Sequence, residues 1–242
     1  MLLIPSIELK GGKCLRPGKA SGTAFPDDPA ALAQQWVKAG ARRLHLSDLD
    51  SANGKAANAA AVEKIVAACP EVPVQVSSGV RSEEGVAAYI EAGAHFVVLG
   101  MRALTTPHVV NDLCLEFPGH IIVGLEARGG KLASEGWSKL SDNDPAKAAE
   151  HLQREGAAAL VYAETSAKGV SVDGACIEGA AELARAVAIP VIAAGGVATL
   201  ADVRKLCTPA TEGLLGAIMG QALYEGGLEF GAAQKLADTL AR

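Results

Sequence analysis

Aromatic residues are scarce, at 4% of 242, while half of the chain is apolar. A core with so few rings must be filled by Ala, Val, Leu and Ile. At this length about 70–75% of the unfolded surface can be buried, so no staple is needed. Positive charge is also short. The 22 Lys and Arg against 27 Asp and Glu leave a net charge of −5, which argues against a broad nucleic-acid surface, because polyphosphate attracts basic faces. Local basic groups could still hold a small phosphate. The five cysteines, Cys14, Cys69, Cys114, Cys176 and Cys207, are odd in number and far apart, with no CxxC pair. That pattern fits reduced core thiols in a cytoplasmic protein and not a disulfide framework, with a catalytic cysteine as the lesser reading. No apolar run approaches the roughly 18 residues of a membrane span, and no signal peptide opens the chain. A soluble cytoplasmic protein is expected, binding neither nucleic acid nor membrane.

What the sequence does have is a motif that occurs twice. Ile7-Glu8-Leu9-Lys10-Gly11-Gly12-Lys13 returns as Leu125-Glu126-Ala127-Arg128-Gly129-Gly130-Lys131, 118 residues later. Each copy follows an apolar run and reads as a buried strand that ends in a carboxylate and breaks at a glycine pair. Three further segments match in order. Gly40–Asp48 pairs with Gly156–Glu164 at an offset of 116, Pro73–Val80 with Pro190–Val197 at 117, and Val97–Gly100 with Ala217–Gly220 at 120. Four matches in register indicate an internal repeat of half the chain.

The elements alternate. Strands are expected at Leu2–Leu9, Arg43–Asp48, Val74–Ser77, His95–Leu99, Ile121–Glu126, Ala159–Glu164, Val191–Ala194 and Leu214–Met219. Helices fall between them. One opens at Pro29 behind an Asp28 N-cap, one spans Asn58–Ala68, one starts at Ser82 and one starts near Thr106-Pro107. The later helices are Pro145–Glu155, Ile177–Ala186, Leu200–Leu206 and about Glu229–Leu240. Eight strands alternating with eight helices predict a parallel sheet. With a half-repeat, the best solution is an α/β fold of the (β/α)8 barrel type; an open doubly wound sheet is the runner-up. No linker divides the chain, so one domain over 1–242 is expected, with half-barrels of about 1–119 and 120–242.

In such a barrel the active face lies at the C-terminal strand ends. Glu8 and Glu126 end strands one and five, which face each other across the barrel. Two carboxylates on opposite sides of one substrate suit general acid and general base. The bland alternative pairs each with a neighbour such as Lys10 or Arg128. Gly79, Gly100, Gly195-Gly196 and Gly220 follow strands three, four, seven and eight. Backbone N–H groups at such turns can cradle phosphate, and two equivalent sites would suit a substrate with a phosphate at each end. Arg16, Arg81 and Arg102 are candidates for further phosphate contacts, or solvated surface arginines. Asp48 could orient substrate or loops. Trp137 could cover a planar ring or pack in the core. His45, inside a strand, reads as a satisfied core or interface residue.

These stretches resemble the HisA branch of the HisA/HisF family. The resemblance covers essentially the whole chain. It rests on PSIEL, GLEARGG, HLSDLD, VQVSSGVRSEEGV, the EGW after strand five, AAGGVATLADV and IMGQALYEG. It implies a (β/α)8 barrel with two phosphate sites, no metal and no organic cofactor. The implied reaction is an Amadori rearrangement of the ProFAR ribotide in histidine biosynthesis, with the phosphorylated ribotide as the small-molecule partner. A monomer or weak oligomer is expected. The chain departs from the family at its chemical centre. Glu8 and Glu126 stand where the family has aspartate. Ala163 stands for a threonine, Lys168-Gly169 for an Asp-Gly pair, Ser77-Ser78 for a glycine pair and Gln221 for an arginine. Lys168 is therefore a candidate new catalytic group. The alternatives are a paralogue acting on another phosphorylated metabolite, or a phosphate-binding subunit with little catalysis.

Overall fold

The protein is described here from a computed structural model covering residues 1–15, 25–51, 56–101, 108–133, 144–166, 169–170 and 175–240. Eight parallel strands form the barrel: β1 (Leu2–Lys10), β2 (Leu44–Asp48), β3 (Val74–Ser78), β4 (Phe96–Leu99), β5 (Ile121–Arg128), β6 (Ala159–Ser166), β7 (Val191–Ala194) and β8 (Leu214–Met219). Each pairs with the next in chain order. β8 then pairs with β1, Gly216–Met219 against Leu2–Pro5, and closes the ring. The expected (β/α)8 barrel is therefore the fold.

The helices are α1 (Pro29–Lys38), α2 (Ala59–Ala68), α3 (Glu83–Glu91), α4 (Val109–Glu116), α5 (Pro145–Arg154), α6 (Ala175–Ala186), α7 (Leu200–Leu206), the short α8 (Gln221–Tyr224) and α9 (Phe230–Leu240). Their starts follow local chemistry. The side chains of Asp28 and Asp144 accept from Ala31 N and Ala146 N, each just ahead of a proline in the first turn. Ser82 caps Gly85 N, and Thr199 with Asp202 makes a reciprocal capping box. Each such cap is worth about 1 kcal/mol. The short α8, a single turn after Gly220, carries no capping or periodic signal in the sequence.

Strand alternation sorts the core into two layers. Outward residues such as Leu3, Ile7, Leu9, Leu44, Leu46, Val74, Val76 and Val123 pack under the helices. Inward residues Ile4, Val98, Ile122, Ala159, Val161, Ile192 and Ile218 form a smaller cluster inside the barrel. The last helix is tied to the first strand, where Leu3 N donates to the buried Gln234 Oε1 at 3.1 Å. Closure therefore joins the two ends of the chain.

The strands end at the motif glycines, and each glycine pair also turns the chain back. β1 turns back at Gly11-Gly12 into a short antiparallel strand, Lys13–Leu15, and β5 turns at Gly129-Gly130 into Lys131–Leu132. The glycine φ values are 57° and 73° in the first turn and 58° and 73° in the second. Two consecutive positive φ values define the hairpin turn that matches strand twist, and glycine meets that demand without strain. The break falls where the motif placed it, and the hairpin beyond it is the addition.

Candidate active site

Glu8 and Glu126 line one cavity of about 470 Å³ at the C-terminal strand ends. That size suits a small organic ligand. The two residues hold matching places in the two halves, on strands one and five of the ring. Glu8 is half-buried and Glu126 is exposed. Burial raises the Glu8 pKa above its ordinary 4.5. Among the described residues neither carboxylate makes a hydrogen bond or an ion pair, so the bland pairing with Lys10 or Arg128 is not formed.

The wall between them follows from period-two alternation. If Glu8 faces in, so do Ser6 and Ile4; if Glu126 faces in, so do Gly124 and Ile122. Ser6, His45, Ser47, Ser77, Gly100 and Gln221 line the cavity with the two glutamates. In the parallel register Ser6 lies opposite His45, and Glu8 opposite Ser47. His45 and Gln75 face each other on β2 and β3, with Gln75 Nε2 at 2.9 Å from His45 Nδ1. Burial lowers the His45 pKa to about 4. The sequence singled out Ser77 only as a departure from the family pattern and did not single out Ser6, Ser47 or Gln75. Period-two alternation from Glu8 along the strands was the signal that could have found them.

The glycines divide. Gly100, Gly195 and Gly220 line the cavity, and Gly79 and Gly196 are not part of its lining. Gly195 N donates to Ile218 O at 3.1 Å, so that N–H is engaged within the barrel. Arg81 is exposed, and its Nη1 donates to Gly79 O at 3.3 Å. Arg16, Arg102, Trp137 and Lys168 lie outside the described residues.

Asp48 turns away from the cavity. Its carboxylate is 5% exposed. It accepts from Asp50 N, Asn58 N and Asn58 Nδ2 at 2.7–2.9 Å and from Tyr89 Oη. Asn58 Oδ1 and Asp50 Oδ2 in turn accept from Gly12 N and Gly11 N. This network ties the β1 hairpin to the segment after β2, so Asp48 orients a loop. In the second half Glu164 does related work with fewer partners, accepting from Gly129 N at 2.6 Å and Tyr162 Oη at 2.8 Å.

Among the described residues no three of His, Cys, Asp and Glu gather around a point that could hold a metal ion, and no helix is long and apolar enough to cross a membrane.

Comparison with known proteins gives the same picture over the whole chain. Residues 2–229 match the family described as histidine biosynthesis protein. A relative from Thioalkalivibrio sulfidiphilus is 51% identical, over 98% of this chain and 100% of its own length. One from Methylococcus capsulatus is 49% identical, over 99% and 100%. One from Acidithiobacillus ferrooxidans is 47% identical, over 98% and 100%. All three are named 1-(5-phosphoribosyl)-5-((5-phosphoribosylamino)methylideneamino) imidazole-4-carboxamide isomerase. A closed barrel with a repeated carboxylate hairpin, matched end to end at about half identity, leaves one assignment: the chain belongs to the histidine biosynthesis protein family.

Proposed function

We propose that the protein is an isomerase that carries out the Amadori rearrangement of the bisphosphorylated ribotide named for its relatives. The observation that carries this reading is the pair Glu8 and Glu126, set at matching ends of the two half-barrels and open to one cavity.

The chemistry needs two proton transfers. An acid protonates the ribose ring oxygen, and the C1–O bond breaks to leave a protonated imine at C1. A base then removes the C2 proton, and the electrons flow into a C1–C2 double bond. Proton return at C1 and loss of the C2 hydroxyl proton complete the aminoketose. Carbon-proton abstraction favours the more basic carboxylate. Burial makes that Glu8, since desolvation raises its pKa. Glu126, at the matching strand end on the same cavity, is then left as the acid that opens the ring. Each group should contribute about 10²–10⁴-fold.

The phosphates are assigned to the glycine turns at Gly79, Gly100, Gly195, Gly196 and Gly220, with Arg16, Arg81 and Arg102 as further contacts. Trp137 is assigned to the substrate ring. Lys168 is kept as a candidate added electrostatic group. The centre differs from the family pattern by one methylene at each carboxylate. A displacement of about 1 Å can cost roughly a hundredfold in rate. We expect a cytoplasmic monomer or weak oligomer.

The second reading is a relative that acts on another phosphorylated metabolite or only binds one. It is favoured by the apolar Ala163 on the cavity wall. Turnover of the ribotide by purified protein tests both. Conversion that Glu8→Gln and Glu126→Gln each reduce at least about a hundredfold supports the isomerase. Tight binding without conversion in the unmodified protein would leave only the second reading.

A further inference from the structure

A line of polar groups that the proton transfers do not use ends at His45 on the cavity wall. Arg43 Nη1 lies 3.5 Å from Gln75 Oε1, and its guanidinium sits 4.7 Å above the Phe96 ring. Gln75 Nε2 lies 2.9 Å from His45 Nδ1. The direction of the line follows from valence. A guanidinium can only donate, so the Gln75 atom facing Arg43 is its carbonyl oxygen. The atom facing His45 is then the amide nitrogen, which also can only donate. His45 Nδ1 must therefore accept, and it carries no proton.

His45 is 6% exposed, and burial keeps its pKa at about 4. The ring is neutral at pH 7, with its single proton on Nε2. Among the described residues Nε2 meets no protein partner, and it is not sealed from the cavity that His45 lines. A nine-tenths buried imidazole thus offers one directed, uncharged donor to whatever fills the site. It lies across from Ser6, two residues below Glu8 on the neighbouring strand.

We propose that His45 is a substrate-binding donor, giving its Nε2–H to the C2 hydroxyl oxygen of the sugar, and that Gln75 and Arg43 are positioning residues that fix this tautomer. The inference rests on the isomerase reading of the same cavity. A neutral donor holds the oxygen of the carbon that Glu8 deprotonates. It does so without placing a second cation next to that carboxylate, where it would weaken the base. The hydrogen bond transfers no proton, so the balance of the reaction is unchanged. A phosphate would instead favour charged donors.

The test is 15N NMR of the intact protein labelled at histidine, with His45→Gln used to identify the signal. The expected result at pH 7 is a bare Nδ1 and a protonated Nε2, with the Nε2 resonance moving when the ribotide is added. Gln75→Glu replaces the amide donor with an acceptor. It should draw the proton to Nδ1 and lower kcat about tenfold or more, while KM changes less. A merely structural role would leave the tautomer and the KM-against-kcat split as they are. A proton on Nδ1 in the unmodified protein would overturn the proposal. So would an Nε2 resonance that stays fixed while calorimetry records bound ribotide. Ribotide that calorimetry finds unbound would instead sink the isomerase reading, and the substrate contact with it.

Discussion

Glu8 and Glu126 leave matching strands through hairpins whose glycine φ values agree within a degree, yet the inner walls around them differ at almost every step. Where the first half has Ser6, His45, Ser47, Gln75 and Ser77, the repeat places Gly124, Val161, Ala163, Ile192 and Ala194. One wall is polar and the other apolar, on one backbone plan. The outer ties differ in the same direction. Asp48 is buried under four donors, while Glu164 is half-buried under two. The comparison teaches that the repeat preserves what the backbone needs, namely hairpin turns, closure and strand-end carboxylates. Side chains that face a ligand are free to diverge, because the barrel interior is not what holds strand to strand.

The sharpest break in the comparison sits at the barrel floor. Phe96 in β4 corresponds in the repeat to Gly216 in β8. A methyl group at Gly216 would run into the Leu2 carbonyl oxygen across the β1–β8 seam. Gly216→Ala should destabilise by about 4 kcal/mol or more, the exceptional range that overpacking against backbone can reach. Urea denaturation checks this, and a variant of ordinary stability would mean the seam can shift.

The outer ties give the next largest effect. Asp48→Ala leaves Tyr89 Oη, Asn58 Nδ2 and two backbone N–H groups without their acceptor. A loss of about 3 kcal/mol is expected, against about 1 kcal/mol for Glu164→Ala. Equal losses in denaturant melts would erase the asymmetry between the halves.

His45→Val puts the second half's residue into the first. In the native protein His45 has its pKa lowered from 6.5 to about 4. The unfolded chain therefore takes up this proton first as pH falls. Stability is fully present above 6.5 and is lost as pH falls toward 4, by about 2 kcal/mol once cavity water is allowed for. His45→Val should flatten that part of the melting profile; an unchanged slope would assign the acid sensitivity elsewhere.

The smallest effect separates the two glutamates. Burial raises the Glu8 pKa, so its charge costs the fold stability at neutral pH. The sign is opposite to that of His45: stability is greatest below the ordinary value of 4.5 and falls as pH rises through the folded pKa. Glu8→Gln should thus raise Tm slightly at pH 7 and leave it unchanged at pH 3. Glu126→Gln removes a charge from an exposed position and should leave Tm at pH 7 unchanged.

Much of this was legible in the chain. β7, β8 and α7 fall where apolar runs and caps placed them, because local pattern and local burial agree there. The carboxylate pair was found through the repeat, which reports position without any contact. Other parts were hidden. The hairpins were missed because a glycine pair both ends strands and turns them, and the choice depends on the partners of Gly11 and Gly129. Asp48 looked like a site residue because it stands at a strand end. Its direction is set by Tyr89 and Asn58, 41 and 10 residues away in sequence.

The sequence by itself determined the barrel, the half-repeat and the two glutamates, since period, capping and repetition are local or self-referential signals. Only the tertiary structure decided which strand residues face one another across β1, β2 and β3. Register sets those neighbours, and closure of the ring sets the register. The neutral imidazole under Glu8 exists because the pairing of β2 with β3 brings Gln75 into line with Arg43 and His45, a proximity that no single segment encodes.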